Sequence, residues 1–118
     1  MHRVRREDLP FRGSSHQFVG ADHGVGVCTY LLRALPGNGP GLHRHPYDEI
    51  QFVRSGRGIW VVNGVRFEAG AGDILVIKAG EVHGFKCIGE EPLEQVDVHV
   101  NPVFVQEDLP GWEEAVSR

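Results

Sequence analysis

Two histidines and a glutamate, His43, His45 and Glu49, stand close together in the stretch Gly37-Asn38-Gly39-Pro40-Gly41-Leu42-His43-Arg44-His45-Pro46-Tyr47-Asp48-Glu49. In an extended strand, side chains at i and i+2 share a face and lie about 6.5–7 Å apart. His43 and His45 can therefore converge on one point. Glu49 has the same parity and joins them if the strand resumes after Pro46. Two imidazoles and a carboxylate on one face suit a divalent transition metal. The plainer alternative is a polar loop whose histidines are merely neighbours. A third imidazole, His83, follows Gly80-Glu81-Val82 further along the chain.

The elements that must position these residues are short. The chain has 118 residues, which argues for a single domain with one core. Hydrophobic residues make up 41% and charged residues 24%, an ordinary balance for a globular protein. A net charge of −4 argues against non-specific nucleic-acid binding, which needs a basic face. The basic group Arg3, Arg5 and Arg6 is followed at once by Glu7 and Asp8 and reads as a solvated arm. No apolar run is long enough to span a membrane, and no apolar segment follows the N-terminal charges as in a secretory signal. Cys28 and Cys87 do not make a disulfide framework and read as reduced thiols in a cytoplasmic protein. The 16 glycines and seven prolines punctuate the chain at short intervals, which predicts many turns and many strands.

Residues 1–20 read as an N-terminal arm, with a short edge strand near 16–19 that is a candidate for swapping between subunits. Strands are predicted over Val25 to Leu35, Ile50 to Val53, Ile59 to Val62, Val65 to Phe67, Asp73 to Ile77, Val82 to Ile88 and Leu93 to Val100. Asn63-Gly64 between two β-rich runs is a strong hairpin signal, because both residues tolerate the positive φ of a type I′ turn. Residues 21–105 would form the main unit and 106–118 a tail, with a short helix over Trp112 to Val116. About nine short strands with regular turns argue for an all-β barrel or sandwich.

At this point the sequence resembles the cupin family. Gly37, His43, His45, Glu49 and Gly56 match the family's first motif, G-x5-H-x-H-x3,4-E-x6-G, at every position. Gly72, Gly80 and His83 match the second, G-x5-P-x-G-x2-H-x3-N, with Lys78 in place of its proline and Cys87 in place of its asparagine. The resemblance covers roughly residues 25–100. It implies a double-stranded β-helix, the small jelly-roll barrel, holding one divalent ion through His43, His45, Glu49 and His83. Four protein ligands would leave one or two positions open on a five- or six-coordinate ion, as catalytic metals require. Zinc, iron, manganese, nickel and copper all suit such a mixed set.

Other residues invite weaker expectations. Gln51 shares the parity of Glu49 and should point into the barrel, where its amide needs partners: a substrate, a metal-bound water or neighbouring backbone. Asp97 and His99 alternate with Val96, Val98 and Val100, and a valine core would leave Asp97 and His99 facing solvent. The reverse arrangement would put them in the pocket as acid/base or orienting groups. Tyr47 and Trp60 read as core aromatics, Cys28 and Cys87 as buried small residues, and His2, His16 and His23 as surface.

The function expected from the resemblance is a metal-dependent enzyme acting on a small molecule with a carbonyl, enol or carboxylate group, with dioxygenase, isomerase or cyclase chemistry. Gln51 and His99 are the candidate catalytic or orienting residues. The alternative is a non-catalytic binding or sensor module, since Tyr47 to His83 also resembles the ligand-sensing half of arabinose-operon-type regulators, without their DNA-binding domain. Expected partners are a small ligand and a second copy of the chain in a homodimer, with no nucleic acid and no membrane.

Overall fold

The structure, a computed structural model, describes residues 1–118. Eleven strands and one short α-helix follow in order, with 3-10 turns at Arg6–Asp8 and Gly20–His23. They are β1 (Phe11–Arg12), β2 (Ser15–Phe18), β3 (Cys28–Ala34), β4 (His43–Arg44), β5 (Glu49–Ser55), β6 (Arg57–Val62), β7 (Val65–Gly70), β8 (Ile74–Ile77), β9 (His83–Ile88), β10 (Leu93–His99), β11 (Glu107–Asp108) and α1 (Trp112–Val116). No helix is long and apolar enough to cross a membrane.

Local chemistry sets the turns. Asn63 and Gly64 have φ of 48° and 81°, the paired positive values of the expected hairpin, and they bring Val62 opposite Val65 between β6 and β7. Gly56 separates β5 from β6 with φ of 78°, and a Cβ there would fall 2.2 Å from the Pro92 carbonyl oxygen. Only glycine fits that position on both counts.

The strands form two antiparallel sheets in the orders β1-β2-β3-β10-β5-β8 and β11-β4-β9-β6-β7. Their concave faces enclose one barrel, a double-stranded β-helix. The expected edge strand near 16–19 is β2, which pairs with β3 of its own chain and carries β1 on its outer side.

The barrel interior is divided along its length. At one end Leu32, Ala34, Val53, Trp60, Ala69, Phe85, Cys87 and Leu93 form the apolar core. The Trp60 and Phe85 rings stack with centroids 5.2 Å apart. At the other end the inward residues are polar. Following β5 inward side chains gives Glu49, Gln51, Val53; following β9 gives His83, Phe85, Cys87; following β10 gives Leu93, Gln95, Asp97, His99.

That last row reverses the expected orientation of β10. Asp97 and His99 are 2% and 1% exposed, whereas Val96 and Val98 point outward and Val100 is half exposed. The physical reason is that β10 sits between β3 and β5 in the middle of its sheet, with an apolar convex face as well as an apolar core. Valines on the convex side form rows with other apolar residues: Ile74, Phe52, Val96 and Leu31 in one, Val76, Ile50 and Val98 in the next.

Candidate metal centre

Each of the four motif side chains reaches the polar end from a different local setting. His43 lies on β4 directly across from His83 at the start of β9. His45 follows β4 immediately, and Glu49 opens β5. All four are at most 5% exposed. One candidate donor atom from each lies within 4.8 Å of all the others, so together they could hold a metal ion.

The outer nitrogens of the three rings are fixed by main-chain carbonyls. His43 Nδ1 donates to Gly41 O, His45 Nδ1 to Val105 O and His83 Nδ1 to Glu81 O, each at 2.8 Å. A carbonyl only accepts, so each Nδ1 carries the proton, and in a neutral ring Nε2 is left with its lone pair. His45 Nε2 and His83 Nε2 lie 3.3 and 3.2 Å from Glu49 Oε1. A neutral imidazole lone pair and a carboxylate oxygen are both acceptors, and such a contact needs a cation or a proton between them. His45 Nε2 makes no well-directed hydrogen bond despite its distance to Glu49. The donor set, its tautomers and its unsatisfied buried nitrogen therefore fit a divalent metal ion.

The electrostatics agree. Burial, with the neighbouring His83 second, lowers the His43 pKa to about 4, which keeps that ring neutral and able to ligate at neutral pH. Burial alone would push the Glu49 carboxyl up, but hydrogen bonding with His45, His83 and His99 holds it well below the usual carboxylate value, a stabilisation that requires a proton on those ring nitrogens or a cation in its place.

A chain of hydrogen bonds orients Glu49. Trp60 Nε1, which can only donate, reaches Gln51 Oε1 at 2.8 Å, and this assigns the Gln51 amide. Gln51 Nε2 then donates to Glu49 Oε2 at 2.9 Å. Gln51 thus points inward as expected, and its partners are two side chains rather than main chain or cavity. His99 Nε2 approaches the same Glu49 Oε2 at 3.4 Å, while its Nδ1 meets the Tyr47 hydroxyl at 2.8 Å. That hydroxyl in turn accepts from the Val105 N–H. Trp60 is core, as expected; Tyr47 is buried but polar in its contacts.

A cavity of about 270 Å³ opens onto this centre. His43, Glu49, His99, Tyr30 and Asp97 line its inner wall, and Arg12, Gln17 and Gln106 lie around it nearer the rim. Burial, followed by the charge of Tyr47, raises the Tyr30 phenol to about 12. Sequence reasoning passed over Tyr30 and Arg12. Tyr30 shares the parity of Cys28 and Leu32, both buried, and that parity was the available signal; Arg12 gave none, because its place depends on β1 folding back along β2.

The two departures from the motifs have local explanations. Lys78 donates its N–H to Glu81 Oε1, a bond proline lacks, and its Nζ pairs with Asp48 at 3.0 Å. Cys87 is 2% exposed, belongs to the apolar core, and its thiol donates to Glu91 O. His2 is exposed and His16 and His23 are half-buried, all away from the cluster.

Comparison with known proteins places these observations in a family. An oxalate-binding protein of Thermotoga maritima is 35% identical over 64 residues, covering 53% of each chain. The chain thus spans about half the length of the curated relative it matches. Among solved structures, a conserved Klebsiella pneumoniae protein with a double-stranded β-helix domain has a TM-score of 0.74 at 25% identity, covering 93% of this chain and 99% of that one. A Bacillus subtilis oxalate decarboxylase reaches a TM-score of 0.79 at 21% identity over 92% of this chain and 32% of its own, a likeness of fold. The cupin domain model matches residues 30–99, a run from within β3 to the end of β10 that contains all four clustered side chains, and the chain belongs to the cupin family.

Proposed function

We propose that His43, His45, Glu49 and His83 bind one divalent transition metal ion, and that the protein is a metal-dependent enzyme acting on a small molecule with a carbonyl, enol or carboxylate group. The observation that carries this reading is the meeting of carbonyl-held imidazoles with a buried, ionised Glu49, acceptor against acceptor. When bound, the ion supplies a Lewis acid for a substrate oxygen.

The chain's own residues have separable tasks. His43 and Glu49 line the cavity, so a ligand can approach the centre from that side. Gln51 holds Glu49 Oε2 and leaves Oε1 turned toward His45 and His83, with His99 Nε2 3.4 Å from Oε2. Arg12 near the mouth draws an anionic molecule inward. Leu32, Pro40 and Phe85 supply apolar wall that limits water around the reacting group. The relative named for oxalate binding supports a small carboxylate as the ligand. That same name favours a second reading, a binding module without turnover.

Elemental analysis of protein purified without a metal-affinity tag tests the centre. About one equivalent of a first-row metal is expected, lost in His83→Ala. Protein that holds no metal and takes none up on reconstitution would end the metal reading. Product formation from a small-carboxylate panel by metal-loaded protein separates enzyme from binder.

The apolar convex face of the larger sheet supports a homodimer. Ile74 and Val76 are 60% and 61% exposed beside the outward Ile50, Phe52, Val96 and Val98. An exposed apolar face of this kind can pack against a second copy of itself across a two-fold axis.

A further inference from the structure

His99 is a buried polar group that stands beside the four-residue cluster without belonging to it. It is 1% exposed and ends β10 directly across from Glu49 on β5. Aromatic neighbours clamp its ring. Tyr30 and Phe104 meet it edge-on, with centroids 5.0 and 5.1 Å away, and Tyr47 lies tilted at 5.3 Å. The Tyr30 and Phe104 rings are themselves stacked, 4.2 Å apart. The imidazole is thereby held with Nδ1 toward Tyr47 and Nε2 toward the centre.

The hydrogen bonds then place its proton. The Tyr47 hydroxyl accepts from the Val105 N–H at 3.2 Å, and its own proton has one acceptor in reach, His99 Nδ1 at 2.8 Å. A phenol that donates to Nδ1 leaves the ring proton on Nε2. His43, His45 and His83 carry theirs on Nδ1, against main-chain carbonyls. Three rings thus turn lone pairs toward the centre, and His99 turns an N–H toward it. That N–H lies 3.4 Å from Glu49 Oε2, near enough to favour the carboxylate charge, but it makes no well-directed bond there or elsewhere. A buried donor without an acceptor costs stability until something supplies one. His99 lines the same cavity as His43 and Glu49, so a molecule in that cavity is what can supply it.

We propose that His99 donates its Nε2–H to a carboxylate or carbonyl oxygen of the molecule bound at the metal centre, and that Tyr47 positions it by fixing the tautomer. This deepens the metal reading and rests on it: one oxygen of the ligand faces the ion's site and another accepts from His99. A group that can only donate, such as an ammonium, finds no partner at this nitrogen. His99 is accordingly a binding donor, neither a fifth metal ligand nor a general base.

Long-range proton–nitrogen NMR of histidine-labelled, metal-free protein reads the tautomers, with His99 identified by the signals missing from His99→Gln. The His99 proton is expected on Nε2 and those of His43, His45 and His83 on Nδ1; a neutral His99 protonated on Nδ1 would overturn the inference. Calorimetric titration of zinc-loaded protein with oxalate, with zinc content measured on every sample, tests the donation. His99→Leu should weaken oxalate binding by about tenfold or more at unchanged zinc content. His99→Gln, whose amide carries an N–H to about the place of Nε2, should restore most of it. Tyr47→Phe should weaken oxalate binding while keeping zinc, because the tautomer is no longer fixed. Unaltered oxalate affinity in zinc-bearing His99→Leu would overturn the inference and leave the metal centre standing. So would zinc-loaded wild type that binds no oxalate, or loss of zinc from both His99 variants, which would make the ring a ligand. Should His99→Leu not fold, the wild-type tautomer and the Tyr47→Phe titration decide. Wild-type protein that retains no zinc removes both readings together.

Discussion

At the scale of single residues, the centre depends on side chains that need never touch an ion. Gln51 is the clearest case, because its amide is gripped by Trp60 on one side and grips Glu49 on the other. Gln51→Leu keeps the volume roughly constant and frees Glu49 Oε2. Partners of this kind typically tune metal affinity by about 10- to 100-fold. A chelator-competition titration should therefore show weaker metal binding in Gln51→Leu, with the stoichiometry unchanged. Unaltered affinity would mean that the orientation of Glu49 does not depend on this bond. The variant also leaves Trp60 Nε1 without an acceptor in a dry core, which costs about 1–3 kcal/mol and should appear as a lower Tm in metal-free protein.

At the scale of elements, turns decide where the strands place their residues. Gly56 ends β5, and its Cβ position is filled by the Pro92 carbonyl. Gly56→Ala is expected to destabilise the fold by about 2–4 kcal/mol, a figure that denaturant melts would check, because it combines a positive φ with a backbone clash. Much of this layer was legible in the sequence. The Asn63-Gly64 hairpin, the inward parity of His43, His45 and Glu49, and the short helix at Trp112 all follow from local rules. The orientation of β10 was not legible. A valine row opposite a polar row normally means valine inside, and the rule failed because this strand has two apolar environments. Leu93, which has the parity of Asp97 and His99 and is wholly buried, pointed the right way. Equally hidden were the carbonyls of Gly41, Glu81 and Val105 that set the imidazole tautomers, since main-chain acceptors have no residue signature.

At the scale of the whole molecule, the outward valines of β10 become part of a surface. Ile74→Lys combined with Val76→Lys puts two charges on the convex face near its edge strand; if the proposed dimer forms, analytical ultracentrifugation should find wild-type dimers and monomers of the double variant. A monomeric wild type would remove the dimer from the proposal. The order of the strands has a further consequence, for the route by which the chain reaches this state. The larger sheet sets β10 between β3 and β5, neighbours far from it in sequence, and His45 is held by the carbonyl of Val105 near the other end of the chain. Pairings this distant form late and slowly, because loop closure must precede the contacts that reward it. An unfolded chain offers an ion only the local trio of His43, His45 and Glu49, with imidazoles free to turn either nitrogen outward. On the proposed reading, discrimination between metals, so far as it depends on fixed tautomers and on His83, arises only once the barrel has closed, and metal selection would in this sense be the last act of folding.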